Sequence, residues 1–125
     1  MKKPKLVIFD MDGTMLDTER LSIEGWKQAV PAQIPHVDWD IFYTAFHEMI
    51  GSNYDSCKRV ALKYFPTFDF EKGNEACHAY MDQYIKDHGL PTKTGLFEIL
   101  DCLDQLGIEK AVATSTKTPR ALAKL

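Results

Sequence analysis

A short apolar run over residues 6–9 leads directly into the acidic sequence Asp10-Met11-Asp12-Gly13-Thr14. The run predicts a buried strand over residues 5–9, and Gly13 lets the backbone turn sharply just beyond it. Open α/β sheets bind their ligands at the carboxyl ends of the strands. The pattern therefore predicts a parallel sheet with two carboxylates at its ligand-binding edge.

The two carboxylates are expected to share one small site. Side chains alternate along an extended strand, so Asp10 and Asp12 should point the same way. Nearby carboxylates resist simultaneous ionisation unless a cation or a proton intervenes. The pair indicates either a divalent metal or a division of acid and base roles. The alternative is a turn that ends a strand and has no chemical role.

The sequence from Leu6 to Glu19 resembles the signature of the haloacid dehalogenase (HAD) superfamily. Most members of that superfamily are magnesium-dependent phosphatases and phosphomutases. The Asp17-Thr18-Glu19 that follows the acidic loop (residues 10–14) is similar to the subfamily with a helical cap. The resemblance implies an α/β fold: a Rossmann-like core, whose parallel sheet is incomplete in this chain, with an inserted α-helical bundle.

The resemblance also implies roles for the two acids. The residue matching Asp10 attacks phosphorus and forms an aspartyl-phosphate, and the residue matching Asp12 is the general acid and base. The Asp10 carboxylate and the main-chain carbonyl of Asp12 would bind Mg²⁺, which prefers oxygen ligands. An acid at position 12 favours phosphate esters over carbon–halogen bonds, because the true dehalogenases lack it.

A second match to the family covers residues 107–117, where a predicted strand over 108–114 ends in a cluster of hydroxyls. The resemblance makes Thr114 the second-motif hydroxyl, which donates to a phosphoryl oxygen. The candidate phosphate-binding residues are Thr114, Ser115, Gly13 and Lys117, and a solvated loop lysine is the alternative for Lys117. The alternative is a polar loop in which Thr118 caps a helix that begins at Pro119.

Residues 17–90 carry four apolar patterns of helical spacing and predict a helical cap domain, with residues 1–16 and 91–125 forming the core. The first pattern is interrupted at Pro31, and the later ones end at Gly51, before Pro66 and at Gly89. A single enlarged crossover helix is the alternative. A loop expected to reach the substrate consists of Gly51, Ser52, Asn53 and Tyr54; ordinary helix caps are the other interpretation of these residues.

The leading interpretation is a magnesium-dependent phosphatase that hydrolyses a small phosphate monoester through an aspartyl-phosphate. A sugar-phosphate mutase similar to β-phosphoglucomutase is the second. It is less favoured because such mutases usually carry a histidine where this chain has Ser22. A non-catalytic fragment, which would keep the acidic loop without the rest of the site, is the third.

The resemblance covers only about the first half of a typical family member. The 125 residues leave no room for the later lysine and acidic pair of the family, and the sequence stops within a predicted helix. We therefore expect a truncated chain that is a poor enzyme by itself. A complete protein is expected to be a monomer.

The composition limits the classes of partner that we expect for this protein. A net charge of −3 gives no basic footprint for nucleic acid, and no apolar run is long enough for a signal peptide or a membrane span. The four histidines lack metal-ligand spacing, and three cysteines suggest reduced thiols. We expect a cytoplasmic protein that acts on a small phosphorylated metabolite.

Overall fold

The computed structural model describes residues 2–114, 116, 119 and 120. The chain divides into two compact units, one formed by residues 1–18 with 90–125 and the other by residues 19–89. The elements, in chain order, are β1 (Leu6–Asp10), α1 (Thr18–Gln33), α2 (Trp39–Met49), α3 (Tyr54–Tyr64), α4 (Phe70–His88), α5 (Leu96–Gln105) and β2 (Glu109–Ala113).

The first unit contains a parallel pair of strands. Leu6 lies opposite Glu109 and Asp10 lies opposite Ala113, so β1 and β2 are in register and end together. Parallel strands need a long connection between them, and the second unit and α5 lie within that connection. The predicted α/β class with a parallel sheet is confirmed, and the loops after both strands leave the same edge.

The prediction that the first strand is buried is wrong for the part of the chain that the structure describes. Leu6 is 46% exposed and Ile8 is 62% exposed, whereas Val7 and Phe9 on the other face are half-buried. A sheet covered on both faces buries every strand residue. Here one face of β1 and every residue of β2 are exposed among the described residues.

Helix α5, which leads the chain back to the sheet, is flanked by two glycines in the left-handed conformation. Gly95, with φ of 88°, precedes the helix, and Gly107, with φ of 68°, follows it. The main-chain N–H of Ile108 then donates to the carbonyl of Leu103 at 3.0 Å and leads the chain into β2. The predicted helix and its glycine stop are confirmed.

The second unit is a four-helix bundle with its own apolar core. Trp26 stacks on Phe70 with ring centroids 5.5 Å apart, and Phe42 stacks on Phe46 at 6.4 Å. Such aromatic pairs contribute beyond the area that they bury. This confirms the predicted bundle, because a single enlarged crossover helix would have no such core. Other fully or nearly buried members are Leu21, Val30, Ala61, Phe68, Cys77 and Met81.

Polar side chains cap the N-termini of three helices in this bundle. Asp38, Asn53 and Asp69 accept main-chain N–H groups at the starts of α2, α3 and α4. The expected interruption of α1 at Pro31 is wrong, because the helix continues to Gln33. A proline in the last turn removes only one N–H, and the next turn still closes from Ile34 N to Val30 O at 2.8 Å.

Candidate active site

Asp10 is the last residue of β1 and lies exposed at the carboxyl edge of the sheet. Its backbone pairs in register with Ala113, so the loop that follows β2 begins beside it. The structure gives the Asp10 side chain no hydrogen bond to a described residue. An exposed carboxylate at this edge is accessible to a ligand, and its role as a nucleophile stays a prediction.

The acidic loop folds as a tight turn around a buried methionine. Met11 is completely buried, and its carbonyl accepts the N–H groups of Met15 and Leu16 at 3.1 and 3.0 Å. Gly13 has φ of 80° and donates its N–H to the carbonyl of Leu16 at 2.8 Å. Residues with side chains rarely adopt this φ, so Gly13 has a structural role in the turn.

Two threonine hydroxyls hold the carboxylate of Asp12. Thr18 Oγ1 donates to Asp12 Oδ1, and Thr116 Oγ1 donates to Asp12 Oδ2, both at 2.5 Å. Thr18 is 2% exposed at the start of α1, whereas Asp12 and Thr116 are half-buried. We call this arrangement of three residues the hydroxyl clamp.

Thr114 lies just after β2, at the same edge of the sheet as Asp10. Its Oγ1 accepts the main-chain N–H of Thr116 at 3.1 Å, which closes a small turn of the chain. The predicted phosphate-binding residues Ser115 and Lys117, and the predicted helix cap Thr118, lie outside the described residues. The structure therefore brings Thr114 to the predicted edge, and its binding of phosphate stays a prediction.

A short antiparallel ladder joins residues 15–17, where the chain leaves the first unit, to residues 91–93, where the chain returns to it. The N–H of Asp17 donates to Pro91 O at 3.0 Å, and the N–H of Lys93 donates to Met15 O at 2.9 Å. The Lys93 ammonium lies 3.5 Å from the Asp17 carboxylate. The ladder fixes the chain immediately before Thr18, and thereby the position from which that hydroxyl reaches Asp12.

The predicted substrate loop, residues 51–54, lies in the second unit, the four-helix bundle of residues 19–89, which we call the helical unit. Gly51 has φ of 76° after α2, and the Asn53 side chain accepts the N–H of Ser56 at 2.9 Å as the N-cap of α3. The ring of Tyr54 packs edge-on against Phe70, 5.2 Å between centroids. These contacts support the helix-cap interpretation, and a contact with substrate stays a prediction.

The oxygen donors at the sheet edge suit Mg²⁺. The resemblance to the family implies two of them as ligands: the Asp10 carboxylate, which is exposed here, and the main-chain carbonyl of Asp12. Mg²⁺ commonly takes one or two protein ligands and completes its shell with water and substrate phosphate. Among the described residues, no group of three or more His, Cys, Asp or Glu side chains could hold a metal ion. The donor set fits a cation that shares its ligands with a phosphate.

Sequence reasoning missed Thr18 and Thr116 as members of the site. Thr18 belongs to the motif Asp17-Thr18-Glu19, but no role was predicted for it. Thr116 belongs to the hydroxyl cluster, where only its neighbours were given a role. Its partner is 104 positions away in the sequence, so only the pairing of the two strands reveals the contact.

The sequence of residues 7–125 matches the family model of the haloacid dehalogenase-like hydrolases. This match spans nearly the whole chain, and the chain therefore belongs to that family. The parallel strands, the acidic loop at their carboxyl edge and the helical bundle inserted after it agree with this assignment.

Individual relatives are longer than this chain. A glyceraldehyde 3-phosphate phosphatase of Pyrococcus furiosus is 34% identical over 77 residues, which are 53% of this chain and 32% of the relative. The structure of a hydrolase from Pseudomonas syringae matches this chain with a TM-score of 0.70 at 25% sequence identity. The match covers 98% of this chain and 54% of that hydrolase.

CbbY from Rhodobacter sphaeroides, solved in complex with xylulose-1,5-bisphosphate, has a TM-score of 0.67 at 17% identity. The match covers 98% of this chain and 56% of that protein. At this identity the likeness shows a shared fold. The chain thus spans about half the length of its solved relatives and about a third of the curated phosphatase.

Proposed function

We propose that this chain carries the nucleophile and the general acid and base of a phosphatase that hydrolyses a small phosphate monoester. The observation that carries the proposal is the pairing of an exposed Asp10 with a firmly held Asp12 on one loop at the sheet edge. The family assignment and the 34% identity to a phosphatase support this reaction class.

The proposed reaction has two steps. An Asp10 oxygen attacks phosphorus, the phosphorus–oxygen ester bond breaks, and Asp12 gives its proton to the departing alcohol oxygen. A water molecule then attacks the aspartyl-phosphate while Asp12 takes a proton from it, which releases inorganic phosphate and restores the Asp10 carboxylate. Mg²⁺, held by the Asp10 carboxylate and the Asp12 carbonyl, would neutralise part of the phosphate charge.

Thr114 and Gly13 are proposed to bind the transferring phosphoryl group, together with Ser115 and Lys117. Donors set in place before the reaction stabilise charge that develops in the transition state. The helical unit is proposed to act as a cap that limits substrate size and excludes water. Its proposed substrate-facing segment is residues 51–54.

We propose a cytoplasmic location and a monomeric state for the complete protein. All three cysteines are free thiols, which is usual in a reducing compartment. No helix in the described part of the chain is both long enough and apolar enough to cross a membrane.

The test is hydrolysis of p-nitrophenyl phosphate by the native-length protein, with Mg²⁺ and with a chelator. Asp10→Asn should abolish turnover, and Asp12→Asn should lower it by about 10²–10⁴-fold, the usual contribution of a general acid or base. Asp101→Asn, an exposed substitution on α5, is the matched control and should keep full activity. Metal-independent turnover, or an active Asp10→Asn protein, would refute the proposal.

A further inference from the structure

The carboxylate of Asp12 is held from two separate parts of the chain. Thr18 reaches Oδ1 from the start of α1, and Thr116 reaches Oδ2 from the loop after β2. Hydrogen bonds between a hydroxyl and a carboxylate are short and stronger than those between neutral groups. Asp12 is therefore held by two charge-assisted bonds, one on each of its oxygens.

The strand register explains how Thr116 reaches this position. Asp10 is opposite Ala113, so Asp12 and the residues after Ala113 leave the same edge of the sheet. The N–H of Thr116 bonds to Thr114 Oγ1 at 3.1 Å, and this small turn brings the Thr116 hydroxyl to Asp12. The main chain of Thr116 is thus fixed independently of its side-chain contact.

A carboxylate that accepts a hydrogen bond at each oxygen rotates less freely than a carboxylate that accepts only a single hydrogen bond. The terminal torsion of an aspartate side chain is broad, so a carboxylate bonded at one oxygen can still rotate about its Cβ–Cγ bond. Donors on both oxygens fix the plane of the group. A proton donor or acceptor needs such a fixed direction, because transfer requires hydrogen-bond distance to the reacting oxygen.

We propose that Thr116 is a positioning residue, which acts with Thr18 to orient Asp12 for proton transfer. The proposal rests on the function proposed above. Threonine suits this task because a hydroxyl both donates and accepts, so the contact can persist whether or not Asp12 carries the proton. Removal of the hydroxyl should slow turnover without weakening substrate binding.

A direct role of Thr116 in binding substrate phosphate is the competing explanation. Loss of a group that binds substrate and transition state equally raises KM and leaves kcat unchanged, whereas loss of an oriented acid and base lowers kcat. The two roles are therefore separated by the division of the effect between kcat and KM. Serine keeps the hydroxyl, and valine keeps the shape of threonine without it.

The first measurement is the carboxyl ¹³C resonance of Asp12 in protein labelled with ¹³C-aspartate, and it needs no activity. The resonance is assigned by its loss in Asp12→Asn. Thr116→Val should move it, Thr116→Ser should leave it near the wild-type position, and Thr94→Val, an exposed substitution in the same unit, should not affect it. An unmoved resonance in Thr116→Val would overturn the proposal.

The second measurement is steady-state hydrolysis of an alkyl phosphate by the native-length protein. We expect Thr116→Val to lower kcat about tenfold while KM changes less than about twofold, and Thr116→Ser to recover most of the loss. A rise in KM alone, or an unchanged kcat, would overturn the positioning role. Absence of hydrolysis by the wild type would instead refute the proposed phosphatase, and the ¹³C shift would still report the clamp.

Discussion

Gly25 of α1 packs directly against Cys77 of α4, and its replacement by alanine tests how closely the helical unit is packed. A Cβ atom at position 25 would lie 2.8 Å from Cys77 Sγ, 3.0 Å from the Cys77 carbonyl oxygen and 3.3 Å from its Cα. Two of these three neighbours are main-chain atoms. Rotation of the Cys77 side chain therefore cannot make room, and the two helices would have to move apart.

The expected cost follows from two opposing effects. Alanine gains about 1 kcal/mol over glycine in a helix interior, and overpacking a core costs about 1–3 kcal/mol. The upper part of that range applies here, because Cys77 is 1% exposed and the obstacle is backbone. We expect Gly25→Ala to lower the free energy of unfolding by about 2 kcal/mol, the difference between about 3 and about 1.

The assay is urea denaturation, followed by far-ultraviolet circular dichroism and by the fluorescence of the buried Trp26. Ala79→Gly, on an exposed position of α4, calibrates the propensity effect and should cost about 1 kcal/mol. Cys77→Ala combined with Gly25→Ala should recover part of the loss, because it removes the Sγ contact. A Gly25→Ala protein as stable as the wild type, or more stable, would refute the packing argument.

Two smaller predictions concern the surface of the helical unit. Asp38→Ala removes the acceptor of two N–H groups at the start of α2 and should cost about 1 kcal/mol, measured as a lower urea midpoint with an unchanged slope; an unchanged midpoint would contradict the capping role. The Tyr64 hydroxyl donates to Glu48 and lowers the pKa of that carboxyl. A lowered pKa contributes stability that is present above the unfolded-state pKa and is lost as pH falls through the folded-state pKa. Tyr64→Phe should therefore raise the Glu48 pKa towards 4.5 and reduce the loss of stability in acid, and an unchanged NMR titration of Glu48 would contradict this.

Much of the fold could be predicted because local signals agree with the tertiary structure. Gly89, with φ of 84°, ends α4 where the pattern predicted, and Gly107 ends the turn after α5. Pro31 misled the prediction for α1, because the loss of one hydrogen bond near a helix end does not outweigh burial of the flanking Ala29 and Val30. The exposure of Ile8 could not be predicted, because it depends on which elements cover the sheet.

Part of the candidate site could also be predicted from local sequence signals. Asp10, Asp12 and Gly13 form one contiguous motif, so their proximity follows from the chain itself. The contact of Thr116 with Asp12 could not be predicted, because no local sequence pattern indicates a contact between residues 104 positions apart.

The family, the acidic loop and the order of strands and helices can be predicted from the amino-acid sequence, because these features depend on residue types at short spacing. The contacts of Thr18 and Thr116 with the two oxygens of Asp12, and of Gly25 with Cys77, exist only in the folded chain. They form because strand register and helix packing bring residues that are distant in the sequence to within a few ångströms. Such distances are set by the whole fold, and no local pattern of residues encodes them.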